Sequence, residues 1–193
     1  MPMKTRATAL NPHNRFQPIV TDREADHDWY HDPEDDLNPD TLATEVVLET
    51  AKSIISRNTS PDVPFDQSIN PYRGCEHACI YCFARPTHAY WDMSPGLDFE
   101  TRLIAKPNAA ARLREELDRP GYRVLPIALG VNTDPYQPLE RDQRITRQVL
   151  EVLAEYRHPV SIITKGALIL RDLDLLREMA SDGLCSVRIS LTS

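Results

Sequence analysis

The sequence predicts an α/β fold built on parallel strands, either a barrel, here a partial (β/α) barrel, or a doubly wound sheet. Three observations predict it. Apolar runs at Val124–Val131, Pro159–Thr164 and Cys185–Leu191 alternate with stretches of helical period, which is the pattern of βα units. The Val124–Val131 run is apolar throughout rather than alternating, as expected of a strand covered on both faces. Right-handed crossovers between such strands then leave a barrel or a doubly wound sheet. The 193 residues allow one domain with a sizeable core.

Residues 1–45 read as a tail. Thr21–Asp40 is acidic, dotted with proline and without an apolar period, which predicts disorder. Trp29 and Tyr30 fit either a docking contact or a solvated tail. Residues 1–60 carry six basic and eleven acidic side chains, a net −5 of the chain's −7. The near-neutral remainder neither demands nor excludes a nucleic-acid partner, since phosphate binding depends on a local basic patch. Residues 46–193 are expected to form the folded domain. The stretch 41–57 fits a strand or a short helix equally well.

From Gln67 the chain alternates. Gln67–Gly74 reads as a short strand entering a loop, and a short helix is expected around Phe83–Tyr90. Phe99–Ala105 alternates like a strand. Asn108 is placed to cap a helix running to Asp118, with Ala109, Leu113 and Leu117 on one face. Pro126 has no N–H to give a sheet, so pairing in the next strand should begin at Ile127. Residues 142–157 form an amphipathic helix with Asp142 at its start and Ile145, Val149, Val152 and Tyr156 inward. Asp172 is expected to cap a helix carrying Leu173, Leu176 and Ala180, and Gly183 to end it. The chain reaches Ser193 directly after a strand, which predicts a fragment cut after the fourth main strand.

No stretch has the length of a transmembrane helix, and the N-terminus lacks the apolar stretch of a secretory signal. A soluble cytoplasmic protein with no membrane partner is expected. In a reducing compartment, four cysteines with three close together point to a metal or redox site rather than disulfides.

Those three lie in NPYRGCEHACIYCFARP (Asn70–Pro86) as Cys75-x3-Cys79-x2-Cys82. Thiolates are soft ligands that select iron–sulfur clusters, zinc or copper(I). A structural zinc site and an electron-transfer [4Fe–4S] cluster each take four protein ligands, so three leave one position open for chemistry. His77 and Cys185 are alternative fourth ligands. The His77 ring is expected to face outward, and Cys185, at the start of an apolar strand, to be an inert buried thiol.

The three-cysteine spacing, with Tyr81 directly before the last cysteine in a βα context, resembles the radical S-adenosylmethionine (SAM) superfamily. With NTDPYQPLE (Asn132–Glu140) and ITKG (Ile163–Gly166), it is similar to the branch related to spore photoproduct lyase, the DNA repair photolyase-like proteins. The likeness runs from about Phe65 onward. It implies a [4Fe–4S] cluster on Cys75, Cys79 and Cys82, and SAM chelated at the open iron. It also implies an electron donor of flavodoxin or ferredoxin type. The cluster must reach a low potential, and such potentials extend to about −700 mV. Reductive cleavage of SAM then gives a 5′-deoxyadenosyl radical that abstracts hydrogen from a substrate, which the photolyase likeness extends to a nucleic-acid lesion.

Further residues follow by position. Tyr81 matches the aromatic near the SAM adenine, with packing beside the cluster as the alternative. Thr133 or Asp134 takes the place where the family meets the methionine amino group, although no Gly-Gly-Glu is present. An Asp-Pro turn is the alternative reading. Lys165 matches a lysine that contacts the SAM carboxylate, against a surface lysine with a buried stem. Ser190 and Thr192 are candidates for the ribose, and Arg188 alternates with Ser190 toward a barrel interior. Two other functions share the cysteines: a non-catalytic zinc or iron–sulfur binding module, and a nucleic-acid-binding protein with a structural cluster.

Overall fold

The structure is a computed structural model that describes Thr8, residues 10–12 and residues 43–191. Most of the expected tail, Trp29–Tyr30 included, and Thr192 lie outside the described residues. The chain divides into two compact units. One comprises Met1–Val46 and Gly74–Leu103, the other Val47–Arg73 and Ile104–Ser193. The elements in chain order are β1 (Glu45–Leu48), β2 (Ile55–Arg57), β3 (Gln67–Ile69), β4 (Tyr72–Arg73), a 3₁₀ segment Arg85–Trp91, α1 (Asp98–Thr101), β5 (Arg102–Ala105) and α2 (Ala109–Leu117). After these come β6 (Ile127–Leu129), α3 (Glu140–Gln143), α4 (Ile145–Glu155), β7 (Val160–Thr164), a 3₁₀ segment Ala167–Asp172, α5 (Leu173–Ser181) and β8 (Cys185–Ile189).

The second unit is an α/β layer. Its five-stranded sheet has the order β2-β3-β6-β7-β8. The strands β3, β6, β7 and β8 are parallel, with Ala128 beside Ser68 and Ser161, and Ile163 beside Arg188. The edge strand β2 runs antiparallel to β3, so the sheet is mixed rather than wholly parallel. Pairing in β6 starts at Ile127, one residue after Pro126, as its missing N–H requires. Ile127, Leu129, Ile145, Val149, Leu150, Leu153 and Ile162 are buried and form the core. Each contributes about 1.5–3 kcal/mol by leaving water. The helix α4 packs on α2 and α5. A second sheet, ordered β1-β5-β4, joins β4 antiparallel to β5, with Tyr72 opposite Ala105 and Arg73 opposite Ile104.

Several local expectations change. Asn108 precedes α2, but its side chain makes no cap there. Its amide instead accepts from Ala51 N and donates to Ala51 O, both at 2.9 Å. Asp142 lies in α3 rather than at the start of α4. The first turn of α4 is met by the Glu140 carboxylate, which accepts from Thr146 N (2.9 Å) and Arg147 N (3.2 Å), where a negative charge suits the helix dipole. Glu140 also accepts from Tyr72 Oη and from Arg171 (2.7 Å), so this fully buried carboxylate is paired and hydrogen-bonded. Asp172 begins α5 without capping it, because its carboxylate is held by Arg171 (2.8 Å). Leu176 and Met179 face the core there, while Leu173 and Ala180 are exposed.

In the first unit, Phe99–Ala105 is not one strand. Its front half is the helical turn α1, with Phe99, Glu100 and Thr101 all buried. Residues 10–12 are bound to the loop that precedes α1. Leu97 N donates to Leu10 O (3.1 Å), Asn11 Nδ2 to Asp98 Oδ1 (2.9 Å) and Ser94 Oγ to Pro12 O (2.7 Å).

Candidate functional site

The three close cysteines sit on one loop of the first unit. Gly74 opens it at φ +74°, a left-handed conformation that favours glycine. A Cβ there would stand 2.6 Å from Leu103 Cδ2 and 2.8 Å from Phe99 O. Cys75 N then donates to that same Phe99 carbonyl at 2.9 Å. Three turns follow, each begun by a cysteine. Ala78 N donates to Cys75 O (3.3 Å), Cys82 N to Cys79 O (3.1 Å) and Arg85 N to Cys82 O (3.4 Å). Ala78 takes φ +52° to reverse the first of them.

All three thiols are reduced, with Cys75 buried and Cys79 and Cys82 half-buried. Cys75 packs with Ala84 and Phe99, and Cys82 lies against that cluster. On either side of Cys82 the loop turns apolar side chains outward. Ile80, Tyr81 and Phe83 are exposed, Tyr81 by 62%. The outward expectation for His77 does not hold, because its Nε2 is buried. Among the described residues, no three His, Cys, Asp or Glu side chains converge on a point that would hold a single metal ion.

Arg85, which sequence reading passed over, grips this loop. Its Nε donates to Cys79 O (3.0 Å), Nη1 donates to Gly96 O (3.0 Å) and Pro95 O (3.3 Å), and Nη2 pairs with Glu100. Its guanidinium also lies 5.3 Å from the centre of the Phe99 ring. One arginine three residues past the last cysteine, and one glutamate inside an apolar stretch, were the available signals.

The other candidates lie in the second unit, just past the C-terminal ends of three adjacent strands: Thr133 and Asp134 after β6, Lys165 after β7 and Ser190 after β8. In α/β sheets this edge is where ligands bind. The structure brings Asp134 and Lys165 together. Asp134 Oδ2 accepts from Lys165 N (2.9 Å), and Oδ1 accepts from Thr164 Oγ1 (2.5 Å) and Tyr136 N (2.9 Å). Three of the roughly four acceptor sites on a carboxylate are thus used within the protein. Thr133 is buried, and its hydroxyl accepts from Gln137 Nε2 at 3.1 Å. Ser190 is exposed, and its N–H donates to Thr164 O at 2.8 Å.

Lys106, which follows β5, was also missed. Its ammonium donates to Asn70 O (3.1 Å) just past the end of β3. Burial first, and the Arg73 charge next, push its pKa down to about 8. Arg188 lines a cavity of about 210 Å³ with Phe65, Asp66, Ala128, Ser161 and Ile163. Cys185, expected to be buried, is half-buried at the start of β8, and burial pushes its thiol pKa up.

This chain is similar to uncharacterized proteins of Mycobacterium tuberculosis and Mycobacterium bovis, each 50% identical over 129 residues. The match covers 67% of this chain and 38% of each relative. An uncharacterized protein of Methanocaldococcus jannaschii is 28% identical over 137 residues, 71% of this chain and 49% of that protein. The chain thus spans less than half the length of these curated relatives. No family model matches it, and no solved structure matches it.

Proposed function

We propose that this chain is the front part of a radical SAM enzyme, in which Cys75, Cys79 and Cys82 hold a [4Fe–4S] cluster. The observation that carries the reading is the loop itself: three thiols, each opening its own turn, on a segment whose backbone is fixed by Phe99 and Arg85. The donor set fits a cluster with one iron left for a ligand. In a cluster each thiolate binds a different iron, so the sulfurs need not meet at one point. A single zinc ion needs thiolates about 2.3 Å from one centre, and no such convergence exists among the described residues.

When bound, the cluster and SAM together supply one-electron cleavage of the sulfonium to a 5′-deoxyadenosyl radical, the agent that takes hydrogen from a substrate. The protein's share is to bind, orient and exclude water. Tyr81 offers an exposed aromatic face for the adenine. Lys165 supplies a cation for the methionine carboxylate, at a strand end where Asp134 fixes its backbone. Thr133 and Asp134 are assigned to the amino group. Since most of their acceptor capacity serves the loop, they act mainly by holding it. Ser190 is assigned to the ribose. Four parallel strands in the sequential order β3-β6-β7-β8 are compatible with the partial (β/α) barrel that the likeness implies.

The branch likeness makes a nucleic-acid lesion the proposed substrate, a flavodoxin- or ferredoxin-type protein the electron donor, and the cytoplasm the location. Anaerobic reconstitution followed by reduction with SAM present tests the activity. Release of 5′-deoxyadenosine supports it. Intact SAM over a fully reduced cluster, with salt-sensitive DNA binding, points instead to a structural cluster in a nucleic-acid-binding protein.

A further inference from the structure

We infer that Arg85 is a positioning residue that holds the cysteine loop in its ligand-ready shape before any metal arrives. As an account of cluster assembly the inference rests on the proposed function above, but the clamp itself is a property of the protein alone.

The guanidinium joins two stretches that approach each other only in the fold. On one side, Nε reaches the carbonyl of Cys79, the middle cysteine. That carbonyl also accepts from Cys82 N, so both of its lone pairs are used and the peptide after Cys79 cannot rotate without losing a bond. On the other side, Nη1 and Nη2 reach Pro95 O, Gly96 O and Glu100. The Arg85 side chain is 12% exposed and that of Glu100 0%, so the pair is shielded from solvent.

Phe99 completes the clamp. Its carbonyl receives Cys75 N, its ring packs on Cys75 and Ala84, and the same ring lies under the guanidinium. The first cysteine is therefore held through Phe99 and the second through Arg85. The third is held through the turn whose closing N–H is Arg85's own. The Gly96 turn is anchored in its turn, since Leu97 N donates to Leu10 O at 3.1 Å.

Such an arrangement has a purpose in the metal-free state. Three thiols on a short loop lose conformational freedom on binding iron, and thiolates repel one another as they form. A loop already ordered has lost that freedom during folding.

The test uses metal-free protein and the alkylation rate of each cysteine, followed by peptide mass spectrometry. Cys185, in the other unit, is the internal standard. In Arg85→Ala, Cys79, whose carbonyl loses the arginine, is expected to react at least about tenfold faster relative to Cys185, because hydrogen bonds to a charged group are worth at least about a factor of ten each. Arg85→Lys keeps the charge but not the fork, and should give an intermediate ratio. Combining Arg85→Ala with Glu100→Gln takes away the buried carboxylate charge, so the ratio then reports the lost loop contacts. If Arg85→Ala does not fold, the lysine variant decides.

An unchanged ratio in the variants, a rate that rises equally for Cys185, or a lysine variant indistinguishable from wild type would each overturn the clamp. On reconstitution, Arg85→Ala should take up iron at least severalfold more slowly. If wild type takes up no iron while the alkylation ratio behaves as expected, the cluster reading fails and the clamp stands.

Discussion

Gly74→Ala perturbs the entry to the cysteine loop at a single atom. Its φ of +74° costs an L-residue about 1–2 kcal/mol. The new Cβ would also lie 2.6 Å from Leu103 Cδ2 and 2.8 Å from Phe99 O. The leucine methyl has some freedom to move, but the carbonyl is backbone and accepts the Cys75 N–H. Relieving the contact therefore weakens that hydrogen bond, worth about 1 kcal/mol. The sum is about 2–3 kcal/mol. Gly121 provides the control, because its φ is +80° and nothing lies within 4 Å of its Cβ position. Gly121→Ala should cost only the conformational strain. Urea unfolding of the two variants, with reconstituted iron measured in parallel, separates the effects. Gly74→Ala should be less stable than Gly121→Ala by about 1 kcal/mol and hold less iron. Equal losses in the two variants, with normal iron in both, would refute the argument that the loop entry is built around a missing side chain.

Cys79→Ala should abolish cluster binding while Cys185→Ala leaves it intact, read as iron and sulfide per chain. Full cluster content in Cys79→Ala would overturn the ligand assignment. Lys165→Ala should weaken SAM binding about tenfold, the scale of one charge-assisted contact, with the cluster spectrum retained. Unchanged SAM affinity would remove the carboxylate role. His88 and His158 both have pKa values lowered from 6.5 chiefly by burial. Protons then bind the unfolded chain first, so their contribution is complete above about pH 6.5 and is lost as pH falls through the folded values. Urea midpoints between pH 7.5 and 5 should therefore decline, and His158→Gln should flatten part of the slope. A slope unchanged in that variant would contradict the assignment.

Local rules carried the sequence reading where one residue's chemistry decides. Pro126 delays pairing to Ile127 because it has no N–H. The cysteine spacing is legible because a single loop carries it. What failed depended on partners far along the chain. Asn108 looks like a helix cap, yet its amide serves the backbone of Ala51. The Phe99–Ala105 alternation suggested a strand, but Glu100 is buried on an arginine that only the fold brings near. Asp134, for which the sequence left a SAM contact and an Asp-Pro turn both open, likewise has partners that lie far along the chain. Its carboxylate is largely engaged by Thr164, Lys165 and Tyr136, which ties the loop after β6 to the end of β7. Buried polar pairs of this kind leave little trace in a hydrophobic pattern, because each partner alone looks like a surface residue.

The proposed function turns on what the trio Cys75, Cys79 and Cys82 holds. Anaerobic reconstitution with iron and sulfide, followed by metal analysis and visible spectroscopy, tests it most directly. The account predicts about four irons and four sulfides per chain, as a [4Fe–4S] cluster requires, with an absorption band that bleaches on reduction. Stoichiometric zinc with no iron bound would contradict it.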